Sequence, residues 1–228
     1  MKFNQVLEII DEERDLKDNK KGILVLDIDD TLIRANPNVI KCYKSVDGVE
    51  QPLTTAQFAT DKDKEAMGKN VVYYNKTEDA PKKGIAFSIR EFRDPQKVYE
   101  SITKGTPLMK NMKLLDSHIN AGWDMCFLTA RGLQKVVTQA LQDTLLTRNK
   151  EGNLVPLGSK FKTALSAAIN DEEMKYLGKD DGEKKANILR QLCQKYDVVK
   201  FVDDDKRNLN AAKALGLKNL IVVKANKM

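Results

Sequence analysis

Apolar residues in this chain follow two rhythms. Four short runs are predominantly apolar: Ile23–Leu26 and Met125–Leu128 without a break, Val198–Val202 around Lys200, and the NLIVV of residues 219–223. Short apolar runs of that length predict buried parallel strands. Between them the apolar positions fall at helical spacing. Leu108, Met112, Leu115 and Ile119 mark one face, and Leu133, Val136, Val137, Ala140 and Leu141 a second. Ile188, Leu189 and Leu192 mark a third, within a helix read from Lys185 to Tyr196, and Leu209, Ala212 and Leu215 a fourth. Thr106 and Pro107 are read as N-cap and first helical residue of the first of these, with Gly122 closing it and Gly216 closing the last. Strands alternating with helices predict an α/β fold: a doubly wound parallel sheet with helices on both faces.

The rhythm breaks in three places. Phe3, Val6, Leu7 and Ile10 have the spacing of a short amphipathic helix, joined to the first strand by a charged linker. Residues 35–104 lack the strand–helix alternation. Asp47-Gly48 is a hairpin turn signal there, a polar stretch runs to about Lys83, and IAFSIREF alternates like a strand. This region is read as an inserted cap of hairpin and loop character, with residues 1–34 and 105–228 forming the core. Residues 148–182 are read as a minor polar insertion in the core, with a short helix through Ala164–Ile169.

Chemistry enters at the strand ends. The first run, GILVL, stops abruptly at Asp27, Asp29 and Asp30. Three carboxylates so close repel one another unless positive charge lies among them, and the carboxyl ends of parallel strands are where ligands bind in such sheets. Thr129 follows the second run, Asp203 and Asp204 follow the third, and Lys185 lies in the helix before it. These residue types suit phosphoryl transfer. Asp27 can attack phosphorus and form an aspartyl-phosphate. Asp29, two residues on, can give a proton to the leaving oxygen and later take one from water. Mg²⁺ takes hard oxygen ligands, for which Asp27, Asp204 and the backbone carbonyl of Asp29 are the candidates. Thr129 and Lys185 can hold phosphoryl oxygens. Each feature alone has an ordinary structural reading, a helix cap or a solvated charge; their joint occurrence in this order favours a site.

The remaining composition narrows the setting. Charged residues make up 32% of the 228 and apolar ones 41%, which suits a globular protein and not a disordered one. No apolar run approaches the ~20 residues of a membrane span, and the acidic N-terminus does not read as a signal peptide. Three scattered cysteines, Cys42, Cys126 and Cys193, predict reduced thiols in a cytoplasmic protein. The net charge of +6 is spread along the chain and is read as solvated surface before it is read as a nucleic-acid footprint.

The motifs together resemble the haloacid dehalogenase-like superfamily. DIDDTL resembles its first motif, FLTAR the second, the lysine of KKANILRQL the third and FVDDDKRN the fourth, spanning residues 23–208. The resemblance implies a Rossmann-like core, Mg²⁺ and phosphatase activity, with 35–104 as a C1-type cap. It places Asp27 as nucleophile, Asp29 as acid/base and Thr129 and Lys185 on the phosphate. Asp204 becomes the principal metal ligand, with Asp203 as ligand or its support. Lys185 fits better than Lys184, because Leu189 and Leu192 then follow at four and seven residues. The hairpin insert, EFRD (Glu91–Asp94) and FVDDDxxN are also similar to members encoded by large tailed bacteriophages and to the phosphatase domain of polynucleotide kinases. That raises nucleotides, nucleic-acid ends and other small phosphate esters as substrates.

Lesser candidates complete the reading. Arg131 can reach substrate two residues past Thr129; Arg34, Arg90 and Arg93 are further phosphate or base contacts. Asp205 is read as a helix cap, Asn208 as a local hydrogen-bonder, and His118 and Trp123 as packing. Two other functions stay open: the same fold kept as a binding or structural accessory module, and a nucleic-acid-binding module driven by charge.

Overall fold

The structure is a computed structural model that describes residues 22–148, 153–156 and 164–226. The amphipathic stretch at Phe3–Ile10 and its linker lie outside the described residues. The described chain divides into two compact units, residues 22–34 with 106–226, and residues 35–105.

The first unit is built on a five-stranded, all-parallel sheet. Its order is Ala164–Ala168, Asp124–Thr129, Gly22–Leu26, Val198–Asp203, Leu220–Lys224. Numbered along the chain that order is 3-2-1-4-5, so the direction of winding reverses beside Gly22–Leu26, the place where sheets of this kind bind ligands at their carboxyl ends. Alternate residues of these strands point to opposite faces. Ile23, Val25, Cys126, Leu128, Val199 and Phe201 pack with Ile188, Leu189 and Leu192 of the Asp181–Lys195 helix and with Leu209 and Ala212 of the Lys206–Lys213 helix. Burial of each such side chain is worth about 1.5–3 kcal/mol. The helices Met109–Asn120 and Gln134–Thr144 bury Met112 and Leu115, and Val137, Ala140 and Leu141. At the opposite end of the sheet, Trp123 lies against Gly22, where a Cβ would come within 2.6 Å of the indole ring. His118 meets Trp123 edge-on, so both residues pack far from the strand ends that carry the acids.

Two sequence expectations in this unit are corrected. Ala164–Ala168 is a strand, not a helix: it pairs with Met125–Thr129 along its whole length and forms the sheet's edge. Its alanines favour a helix locally, but a ladder to a neighbouring strand outweighs that weak preference. Residues 148–182 therefore include one strand of the central sheet, and Leu154–Pro156, also within them, pairs antiparallel with Leu146–Arg148. Thr106 and Pro107 do not start a helix. They pair antiparallel with Ile33 and Arg34, and the helix begins at Met109 after Leu108, whose N–H donates to the Leu32 carbonyl at 2.8 Å.

The second unit holds a three-stranded antiparallel sheet in the order Val49–Leu53, Cys42–Val46, Ile85–Ser88. Asp47 and Gly48 make the hairpin turn, both at positive φ, 52° and 86°. Where hairpin and loop were expected, three helices also form: Thr55–Ala59, Lys62–Met67 and Pro95–Thr103. Each has a cap written in the sequence. Thr54 and Gln57 form a capping box, Asp61 accepts from the Asp63 and Lys64 amides, and Asp94 caps a helix that opens on Pro95. No helix among the described residues is long and apolar enough to cross a membrane.

Candidate active site

The parallel register sets the site. Leu26 lies opposite Val202, and the ladder runs one residue further through the Asp27 amide, which donates to the Val202 carbonyl at 3.0 Å. Asp27 and Asp203 are therefore neighbours at the point where the sheet reverses. After Asp27 the chain turns tightly. The Ile28 carbonyl accepts from Leu32 at 2.9 Å and Ile33 at 3.0 Å, with Ile28 itself buried and Asp30 at φ 54°. Asp30 faces away from the acids toward Arg34, 3.7 Å distant.

Lys185 comes up from the second turn of its helix, which Asp180 caps by accepting from the Glu183 amide. Only 1% exposed, its ammonium donates to Asp27 Oδ1 at 2.7 Å and to Asp203 Oδ2 at 2.8 Å. Lys184 points elsewhere, to Asn170 Oδ1 at 2.8 Å. Asp203, with no exposed surface, also accepts from Asn208 Nδ2 at 3.0 Å and from the Asp205 amide at 2.8 Å. Both its oxygens are thus in use. Asp205 caps the next helix through the Arg207 amide at 2.8 Å, and Arg207 holds its carboxyl below the usual range against the opposing push of burial.

Burial pushes the Asp27 carboxyl well above its usual value. Lys185 pulls it back, while Asp203 and Asp29 push it further up. For Lys185 burial acts downward, yet the two carboxylates carry the ammonium above its ordinary value. A metal ion bound among these carboxylates would favour their charged forms. One carboxylate oxygen from each of Asp27, Asp203 and Asp204 lies within 4.8 Å of the other two. An all-oxygen donor set of that size suits a hard divalent cation such as Mg²⁺. The Asp29 side chain is not in this cluster.

Asp29 is instead held by Arg131. The guanidinium donates from Nε to Oδ2 at 2.7 Å and from Nη2 to Oδ1 at 2.6 Å. Arg131 is 3% exposed, and Asp29 raises its affinity for the proton although burial acts against it. The buried Thr129 hydroxyl accepts from the Arg131 amide at 3.1 Å, binding the turn that follows its strand. That turn ends at Leu133, left-handed at φ 62°, and Asp171 from the neighbouring loop caps the next helix by accepting from the Gln134 amide at 3.0 Å.

Asp27, Lys185, Asp203 and Asp204 are brought into one cluster, and Asp29, Thr129 and Arg131 form a linked group beside it. Arg90 and Arg93 belong to the separate unit, where Arg90 pairs with Glu50 and Arg93 with Asn75. The Arg131–Asp29 pair, 102 residues apart, and the capping role of Asp171 had no signal in the sequence. Asn208 had one, its place in the first turn of a helix that follows the acids.

No family model matches this chain, and neither does any curated protein sequence. Among solved structures, a haloacid dehalogenase-like family hydrolase from Streptococcus pneumoniae superposes on 91% of this chain and 95% of its own. The TM-score is 0.47 and the identity 12%.

Proposed function

We infer that the chain is a Mg²⁺-dependent phosphomonoesterase working through an aspartyl-phosphate. The observation that carries this is the buried Asp27, bonded to Lys185 and clustered with Asp203 and Asp204 at the sheet's reversal point. Carboxylates and an ammonium converging there from three separate elements suit an anionic ligand that develops charge as it reacts.

An oxygen of Asp27 attacks phosphorus, and the bond from phosphorus to the ester oxygen breaks. Asp29 gives its proton to that departing oxygen, releasing the alcohol. Asp29 then takes a proton from water, whose oxygen attacks the phosphoaspartate and frees Asp27 and inorganic phosphate. Lys185 orients Asp27 and offsets charge on the phosphoryl oxygens. Asp203, held by Asn208 and the Asp205 amide, keeps Lys185 in place. Asp27 and Asp204, with Asp203 beside them, would hold Mg²⁺, which neutralises phosphoryl charge when bound.

The test is phosphate release from nucleotides, 3′- and 5′-phosphorylated oligonucleotides and sugar phosphates, with Mg²⁺ and with chelator. Release from at least one class that chelator abolishes is expected. No release from any class overturns the assignment.

A further inference from the structure

We propose that Arg131 is a positioning residue for Asp29, and not a ligand of the substrate phosphate. The assignment rests on the phosphomonoesterase reading above. An arginine that captures substrate presents its fork to accessible space. Here the guanidinium is 3% exposed, and two of its nitrogens are committed to the two oxygens of one carboxylate. The exposed partner is the acid: the Asp29 side chain keeps 34% of its surface open. Two parallel bonds from a planar fork fix both the place of a carboxyl group and its rotation, which one ammonium cannot do.

The fork is itself anchored. The Arg131 amide donates to Thr129 Oγ1 at 3.1 Å, and the preceding Ala130 carbonyl accepts from Asn170 Nδ2. The segment is thus tied to its own strand and to the loop after the neighbouring strand. Proton transfer to a leaving oxygen demands an aligned carboxyl oxygen. Arg131 supplies that alignment from behind, leaving the open side of Asp29 to the ester.

Leaving groups test this. A phenolate of low basicity departs with little help from an acid, whereas an alkoxide needs the proton. With enzyme in excess, so that only the first displacement is read, alcohol release is measured from p-nitrophenyl phosphate and from an alkyl phosphate. The ratio of the two rates is expected to widen about 100-fold in Arg131→Gln, matching Asp29→Asn, the size typical of general acid catalysis. Arg131→Lys is expected to fall between, since it keeps charge without the fork. Circular dichroism shows whether each variant is folded, and the Lys variant carries the test if the Gln variant is not. A raised KM on both esters with an unchanged ratio would make Arg131 a phosphate ligand and overturn the proposal. Equal loss on both esters at unchanged KM would make it merely structural and overturn it as well. If the wild-type chain releases neither alcohol, the phosphomonoesterase reading itself fails and takes this role with it. If the wild type is active and the variants keep its ratio, only this role fails.

Discussion

Each of the two units contains a network of charged side chains, and the two networks are built differently. In the unit of residues 35–105, Glu50 takes a two-pronged contact from Arg90 at 2.7 and 2.9 Å, and Arg90 stacks over Tyr43 at 3.8 Å. Glu91 accepts from Lys97 at 2.6 Å, from the Tyr43 hydroxyl at 2.5 Å and from the Lys41 amide at 2.7 Å. Two acids meet two bases and the charges cancel. At the sheet ends of the other unit, Lys185 joins Asp27 to Asp203, Arg131 grips Asp29, and Asp204 brings a third carboxylate oxygen within 4.8 Å of those of Asp27 and Asp203. At Glu91 burial is outweighed by Lys97 and Tyr43 and the carboxyl is lowered, whereas at Asp27 burial outweighs Lys185 and, with Asp203 and Asp29, raises it. What separates the two networks is how far their cationic and hydrogen-bonding partners offset burial.

The contrast can be broken most sharply at Asp27. Asp27→Asn should cut phosphate release at least about 1,000-fold, since it removes the nucleophile, while the circular dichroism spectrum stays that of the wild type. Retained turnover would move the chemistry elsewhere. Lys185→Met should come next. It leaves two buried carboxylates without their ammonium and should cost about 3–5 kcal/mol in denaturant unfolding. Added Mg²⁺ should return part of that stability; if it returns none, the carboxylate cluster is not a cation site. In the balanced network, Glu91→Gln faces buried donors with an amide and should cost about 2 kcal/mol. Mg²⁺ should restore nothing there, and restoration would erase the distinction between the two networks.

The smallest effect is in acid. The folded Glu91 carboxyl lies below its ordinary 4.5, so the unfolded chain binds its proton first as pH falls. Its contribution is complete above 4.5 and is lost as pH drops through the folded value. Urea unfolding of wild type and Glu91→Gln, compared from pH 6 down to pH 3, should converge in acid; parallel curves would contradict the assignment.

The strands of the central sheet show how far pattern reading reaches. Ile23–Leu26 and Met125–Leu128 announced themselves, because a strand buried on both faces is apolar throughout, and Val198–Val202 did so although Lys200 interrupts it. Asp27, Thr129, Lys185, Asp203 and Asp204 were legible because each lies at a fixed offset from such a strand or its helix. Ala164–Ala168 was not, since small residues carry no β signature and only the partner strand makes them one. The helices of residues 35–105 were missed although Thr54-Gln57, Asp61 and Asp94-Pro95 are proper caps: each helix is short, and hydrophobic period is a weak signal over one or two turns.

The order of residues alone established the alternating α/β plan, the acids at the strand ends and the types of group available for chemistry, since periodicity and offset are properties of the chain. Which groups meet was decided only in three dimensions. Lys185 rather than Lys184 reaches the acids because the turn of its helix points one lysine inward and sends the other to Asn170. Arg131 reaches Asp29, 102 residues away, because the strands that precede them lie side by side in the sheet. A contact between distant residues depends on the register of strands, and no local pattern encodes register across such a separation.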